Sequence, residues 1–544
     1  MAGREPTVAV IGLGAQGLVT LKNLLEQGFN VTGFDRNDYV GGLWHYCAEH
    51  RISVLPSTVV NSSRERTCFT DFAFPEGTSP YPTATEIDQY LNAYCDNFNL
   101  WPHLRLSTGI QSIRRDNVRN GWLLTVQSTT STSTETLFFE KLVMALGPHS
   151  RPNWPSIQDS DKFKGEIVHS IQFKGPSNFK GKRVMVVGVS NTAADTSTSL
   201  VNVADKIYLG HRDGAVVVPR YLKSGKSLDH DLTYRTGLIK DILEWYFPVA
   251  SRKFLDSMIS KISQSEFGAM DPAWRLEPRP SLLHQVPTVS ETLVPTLRQG
   301  NIVSTAAPKR IVGDYDVELD DGTVVQVDSI ICCTGYRLDL SILGEHDPTL
   351  TEPGQHNNLT PQLYQNIFSL QYPHSLAFVG IAITLLPAFI ASDLSTMALA
   401  QLWSTKPGSP SLPAQVEMEK WYAEHLKWVA AVRSISPRGK FVKLSVQQGT
   451  WINFIQTAAG TNIEENLGYG SLQAWRYWLS NPRFCKLLMD GIWSPHIYRL
   501  FESDRRKTWP GARSAIGRVN DTVAKERNQR KQLVIQQEKS GKLS

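Results

Sequence analysis

Apolar positions repeat one pattern twice along the chain: a short unbroken apolar run, a glycine-containing loop, then helical spacing. The first copy is Val8-Ala9-Val10-Ile11, then Gly12-Leu13-Gly14-Ala15-Gln16-Gly17, then Leu18, Leu21, Leu24 and Leu25 on one face. These predict a strand over Thr7–Ile11, a helix over Ala15–Gln27 stopped by Gly28, and a second strand over Asn30–Phe34. The second copy is Val184-Met185-Val186-Val187, then Gly188-Val189-Ser190-Asn191-Thr192-Ala193, with its own second strand at Lys206–Leu209. Leu142–Leu146 and Ser329–Cys333 read as further buried strands, ending at Gly147-Pro148 and Thr334-Gly335. Ile87, Tyr90, Leu91 and Tyr94 give Thr85–Leu100 a helical face, and Leu238–Ile262 reads as a helical insertion. Leu123–Ser133 predicts a strand, and Asp320-Asp321-Gly322 a hairpin between Val317–Leu319 and Val324–Val327.

Polar, Pro-rich breaks divide these elements. Pro56–Pro82 has no periodicity, Arg151–Pro155 reads as a linker, and so does Lys406–Pro413. The expected fold is α/β with two Rossmann-like dinucleotide-binding domains, the second inserted into the first, plus a mostly helical C-terminal extension. The expected boundaries are 1–150 and 329–405 for the first domain, and 151–328 for the inserted one, with a helical insertion at about 222–300. Residues 406–544 form the extension, which ends in a basic tail through Arg505-Arg506-Lys507 and Lys525 to Lys539.

Composition narrows the class. The chain has 544 residues, too many for one core. Its net charge of +5 is small for this length and gives no reason to expect nucleic acid. Six scattered or adjacent cysteines make neither a disulfide framework nor metal-ligand spacing, so no metal is expected and a reducing, cytoplasmic setting is. The N-terminus runs directly into a strand, which leaves no place for a signal peptide. The apolar stretch Leu376–Ala391 falls short of the about 20 residues a membrane helix needs. It reads as a strand and a helix start, and no membrane anchor is expected.

The loops carry the chemistry. In the first, Gly12 permits the tight turn, Gly14 the approach of a pyrophosphate, and Gly17 close packing of helix on strand. Asp35 follows about 20 residues on, where an acid bonds a ribose hydroxyl and repels a 2′-phosphate, so FAD or NAD is favoured. In the second, Ser190 and Ala193 replace glycines, while Asn191 and Thr192 put short polar side chains at the helix start. Arg212 ends this unit's second strand and suits a 2′-phosphate, which favours NADPH.

Three further segments sharpen this pairing: Gly41-Gly42-Leu43-Trp44 after Asp35, Phe163-Lys164-Gly165 through His169-Ser170 to Phe173 before the second loop, and Cys333-Thr334-Gly335-Tyr336. The arrangement, over roughly residues 7 to 400, resembles the flavin-containing monooxygenases, class B single-component flavoproteins. The resemblance implies that Gly12, Gly14, Gly17, Asp35, Gly42, Leu43 and Trp44 hold FAD. It implies that Gly188, Ser190, Asn191, Thr192 and Arg212 hold NADPH. Asn61 stands where the family has an asparagine beside the flavin ring, ahead of Thr70-Asp71-Phe72-Ala73-Phe74-Pro75. His169 is expected to act as a hydrogen-bonded strut.

The implied activity is NADPH- and O2-dependent monooxygenation through a C4a-hydroperoxyflavin, giving an N- or S-oxide or a hydroxylated product, possible in specialised metabolism. The implied partners are a small-molecule substrate and O2. Baeyer–Villiger oxidation of a ketone stays open, although Phe173-Lys174 departs from that group's signature. So does a non-catalytic FAD/NADP-binding redox sensor. A disulfide reductase is disfavoured, because no Cys-x-x-Cys pair is present. The stretch Ile381–Asp393 departs most from the family pattern. Trp421, Trp428, Trp475, Tyr477 and Trp478 of the extension are candidates to cap the site.

Overall fold

A computed structural model describes residues 5–49, 51–352, 355–357, 360–435, 442–502 and 508–539, the last seven without their side chains. Two sheets organise the molecule, one parallel throughout and one parallel except for an antiparallel edge at Leu363–Phe378. The first has seven strands, in the order Leu363–Tyr364, Phe368–Ser369, Leu376–Phe378, Lys141–Met144, Thr7–Ile11, Asn30–Phe34, Leu104–Arg105. The second has five, in the order Val303–Ala306, Lys206–His211, Arg183–Val187, Ser329–Cys332, Glu166–His169. The central strands are continuous apolar runs because a parallel sheet is covered on both faces. Val8, Ala9, Val10, Val184, Met185 and Val186 are all fully buried.

The helix Ala15–Gln27 follows the first loop and packs against Ala388–Trp403. The second of these helices is buried from Phe389 to Trp403, and the polar Asp393 within it is bonded, accepting from Asn23 at 2.9 Å and from Thr70 N–H at 2.8 Å. An antiparallel meander of Thr108–Asp116, Gly121–Ser128 and Thr134–Phe139 sits beside the first sheet. Only its middle strand was expected. The expected hairpin forms as Asp316–Leu319 with Val324–Gln326, and Pro308–Ile311 adds a third strand.

The helical insertion is two helices, Tyr234–Tyr246 and Pro248–Phe267. They part at Phe247, whose φ of −137° and ψ of 58° are non-helical, and Pro248 opens the second, where it needs no N–H. The extension contributes Gln415–Ser434, Gln448–Ala459, Leu472–Ser480, Pro482–Asp490 and Ala512–Lys539, among others. It is anchored by an ion cluster in which buried Arg499 pairs with Asp71 and with Glu502 at 2.6 Å, while Lys22 pairs with the same Asp71. The run from Lys525 to Lys539 lies on the closing helix, and Arg505, Arg506 and Lys507 lie outside the described residues. Among the described residues no helix is long and apolar enough to cross a membrane.

Candidate functional site

Both glycine-containing loops open into one cavity of about 2280 Å³ at the C-terminal ends of the two sheets. In the first loop Gly12 has φ +96°, donates its N–H to Phe34 O at 2.8 Å, and leaves only 2.7 Å between a built Cβ and Ala145 O. No residue with a side chain fits there. Gly14 precedes the helix with no side-chain cap, so the first-turn N–H groups face the cavity with a partial positive charge. A Cβ on Gly17 would lie 1.8 Å from Gly12 O. Gly17 is therefore a packing residue, and it alone of the expected site residues does not line the cavity.

Gly42 sits against Gly14, with 3.0 Å from a built Cβ to the Gly14 Cα, and opens a short turn of helix through Leu43 and Trp44. All three line the cavity. Asp35 lines it too, and its carboxylate also fixes the loop: Leu13 N–H donates to Oδ2 at 2.8 Å and Asn37 N–H to Oδ1 at 2.9 Å. Burial raises its pKa, against the pull of these two bonds.

The second loop repeats the turn. Gly188 has φ +127°, donates to Gly210 O at 2.9 Å, and would place a Cβ 2.7 Å from Cys333 O. Ser190 stands at the helix N-cap without its hydroxyl capping the helix, although serine is among the best capping residues. Ser190 itself lines the cavity. Asn191 accepts from Val289 N–H at 2.8 Å through Oδ1, which steadies the loop, and Asn191 and Thr192 both line the cavity.

The sheet registers refine one expectation. Ile11 pairs with Phe34 and Val187 with Gly210, so the residue equivalent to Asp35 is His211, and Arg212 lies one place further. His211 is buried and bonded to Asp213 O and Ser304 Oγ, each at 2.8 Å, and burial lowers its pKa. Arg212 is exposed on the cavity wall. The second loop therefore has no carboxylate at the position where the first loop has Asp35.

His169 is fully buried. Ile171 N–H donates to its Nδ1 at 3.3 Å and its Nε2 donates to Gly335 O at 3.0 Å, so the ring is a neutral strut. Burial lowers its pKa accordingly. Asn61 is exposed on the cavity wall in the unpatterned Pro56–Pro82 region, which also supplies Thr58, Val59, Val60 and Phe69 to the lining. Its Oδ1 accepts from Arg220 Nη2 at 3.1 Å, a contact that nothing in the sequence pattern announced. Asp195 also lines the cavity as an exposed side chain, and partial dehydration at the cavity wall, with Glu291 nearby, pushes its carboxyl up to about 6.

The substrate side differs from expectation. None of Trp421, Trp428, Trp475, Tyr477 or Trp478 lines the cavity. Trp451 does, with its indole N–H donating to Gln365 O at 2.9 Å. From the divergent stretch, Ala382, Ile383, Leu386 and Phe389 line it, with no charged side chain among the lining residues of 378–395.

The comparisons with known proteins agree with this geometry. A family model described as flavin-binding monooxygenase-like matches residues 5–541. Monooxygenase aurF of Gibberella zeae is 42% identical over 95% of this chain and 98% of its own length. Flavin-containing monooxygenase 3 of Oryctolagus cuniculus is 27% identical over 94% of this chain and 91% of its own. Among solved structures, S-allyl-L-cysteine S-oxygenase from Allium sativum superposes with a TM-score of 0.62 at 19% identity, covering 96% of this chain and 100% of that one. Cyclohexanone monooxygenase from Rhodococcus sp. Phi1 bound to NADP+ gives 0.58 at 19%, covering 86% and 99%.

The chain belongs to the flavin-binding monooxygenase-like family. It is an enzyme, an oxidoreductase of the monooxygenase class with two Rossmann-type domains, and its cofactors are FAD and NADPH. The residues present fit both: each loop has a bare turn glycine and an uncapped helix start, with Asp35 following the strand at one and Arg212 near the strand end at the other.

Proposed function

We propose that the enzyme places one oxygen atom from O2 on a small, uncharged organic substrate, at nitrogen or sulfur or by hydroxylation, in specialised metabolism. One observation carries this reading. The first loop, the second loop, Asn61 and the uncharged wall of Ile383, Leu386, Phe389 and Trp451 all border a single cavity.

Gly12, Gly14, Asp35 and Gly42–Trp44 would hold FAD, with Gly17 keeping the helix close enough to do so. Gly188, Ser190, Asn191, Thr192 and Arg212 would hold NADPH. Bound FAD, reduced by NADPH, supplies the oxygen chemistry, and the protein supplies orientation and electrostatics. The helix starts at Gly14 and Ser190 would present N–H groups and partial positive charge to the phosphates. Arg212 would pair with the 2′-phosphate that Asp35 would repel at the other loop. Asn61 would present its amide N–H groups beside the flavin. The wall of Phe69, Ile383, Leu386, Phe389 and Trp451 excludes water and favours an apolar, ring-bearing substrate, because a charged group there would lose hydration without a partner.

The test is turnover under ¹⁸O2 with a panel of amines, thioethers, phenols and ketones. The expected result is NADPH consumption matched by a product carrying one labelled oxygen at nitrogen, sulfur or a hydroxylated carbon. Conversion of a ketone to a labelled ester would replace this reading with Baeyer–Villiger oxidation.

A further inference from the structure

The loop that carries Asn61 is held from the other nucleotide-binding domain by one guanidinium. Arg220 is 8% exposed. It donates from Nε to Val60 O at 2.8 Å, from Nη2 to Val59 O at 2.9 Å, and from Nη2 to Asn61 Oδ1 at 3.1 Å. Its Nη1 donates to Glu291 Oε2 at 2.9 Å, and its backbone N–H donates to the other oxygen of Glu291 at 2.6 Å. Glu291 thus grips Arg220 at both ends, while Arg220 grips three consecutive residues across the domain boundary.

The chemistry of the contact decides the orientation of Asn61. A guanidinium has only donors, so the Asn61 atom it meets is the amide oxygen. The amide nitrogen then points away from Arg220, on a side chain that lies exposed on the cavity wall. Without such a partner, the two orientations of an asparagine amide differ little in energy, and half of them would present an acceptor instead of a donor. We infer that Arg220 is a positioning residue for the reaction: it holds the Asn61 oxygen so that the Asn61 N–H groups face the flavin pocket, and Glu291 holds Arg220 in place.

The two loops are also joined by bonds that do not involve this guanidinium. Ser63 N–H donates to Asp229 Oδ2 at 2.7 Å, Arg66 donates to Leu232 O at 2.7 Å, and Tyr81 OH donates to Arg220 O at 2.7 Å. Removing the Arg220 side chain therefore frees the Asn61 amide while the loops stay docked. Lysine is no substitute, because one ammonium cannot span Val59, Val60 and Asn61 as a planar fork does.

The inference rests on the reading of Asn61 as the flavin-side amide, and the experiment separates the two. The proteins compared are FAD-loaded wild type, Asn61→Ala, Arg220→Met, Arg220→Lys and the double variant Asn61→Ala/Arg220→Met. The readouts are the reduction potential of bound flavin by dye equilibration, the fraction of NADPH electrons released as hydrogen peroxide, and the thermal midpoint. Asn61→Ala is expected to shift the potential and raise the peroxide fraction several-fold. Arg220→Met is expected to shift both in the same direction, and the double variant to go no further than the larger single one, since both remove the same interaction. Arg220→Lys, which keeps the charge opposite Glu291, carries the same test should Arg220→Met fold poorly, and it is expected to remain shifted. A wild-type potential and peroxide fraction in both Arg220 variants, beside an altered Asn61→Ala, would overturn the positioning role alone. Effects that simply add in the double variant would do the same. A silent Asn61→Ala would remove both the role given to Asn61 and this inference.

Discussion

The two nucleotide loops share a turn and differ in how closely the following helix sits against it. Gly12 and Gly188 both have positive φ, both donate to the neighbouring strand at 2.8 and 2.9 Å, and both would put a Cβ 2.7 Å from a carbonyl oxygen. Gly14 and Ser190 have nearly the same backbone, φ −72° and ψ −175° against φ −86° and ψ −177°. At the third place the loops part. A Cβ on Gly17 would overlap Gly12 O at 1.8 Å, whereas Ala193 carries one, and a Cβ built on Gly188 would stand 3.6 Å from it. The strand ends part too, with Asp35 at one and neutral, buried His211 followed by Arg212 at the other. The turn glycine is thus demanded by a crossing carbonyl, while the third glycine only records how near the helix lies.

That contrast can be broken at graded points. Gly17→Ala is expected to have the largest effect, near-complete loss of bound FAD, read as flavin absorbance per protein, because the added methyl meets backbone that cannot move aside. Gly188→Ala is expected to keep FAD but weaken NADPH more than tenfold in a binding titration, since its Cβ meets Cys333 O in a conformation that side chains avoid. Arg212→Ala is expected to raise the NADPH Michaelis constant roughly 10- to 100-fold and leave NADH unchanged, the size of one charge-assisted bond. An unaltered NADPH-to-NADH ratio would reject that role. Ala193→Gly is expected to cost only about 1 kcal/mol of helix stability and to leave FAD in place.

The smallest expected effect concerns pH. Partial dehydration at the cavity wall, where the Asp195 side chain is nonetheless exposed, and then the charge of Glu291, raise its carboxyl from 3.8 to about 6 in spite of Arg220. Between those values the folded chain keeps a proton that the unfolded chain has released, so stability contributed at this site falls as pH rises through the window. Asp195→Asn is expected to flatten the thermal midpoint between about pH 4 and pH 6. A variant that keeps the wild-type slope there would assign the slope to another group.

The elements easiest to read in advance were those whose local pattern has one physical cause. Val8–Ile11 and Val184–Val187 are unbroken because both faces of each sheet are covered, and the turn glycines follow them directly. The flanking strands Thr108–Asp116 and Thr134–Phe139 were missed because they belong to an outer antiparallel meander with polar, half-exposed positions. Phe247 split the insertion because its neighbour Pro248 starts a helix better than it continues one. Within the site, Arg220 lies 159 residues from Asn61, and Trp451 comes from a helix with no motif of its own. Only the fold brings such residues together. The offset between Asp35 and Arg212 needed the strand registers, since both simply follow a strand in sequence.

The central claim is that hydride from a nucleotide at the Gly188 loop reaches the flavin held by the Gly12 loop. It is tested most directly by anaerobic titration of the FAD-loaded protein with NADPH, followed by admission of O2. Bleaching of the flavin absorbance by about one equivalent of NADPH, then its return with O2, is the expected result. A flavin that stays oxidised with excess NADPH, although free dithionite bleaches it, would contradict the account.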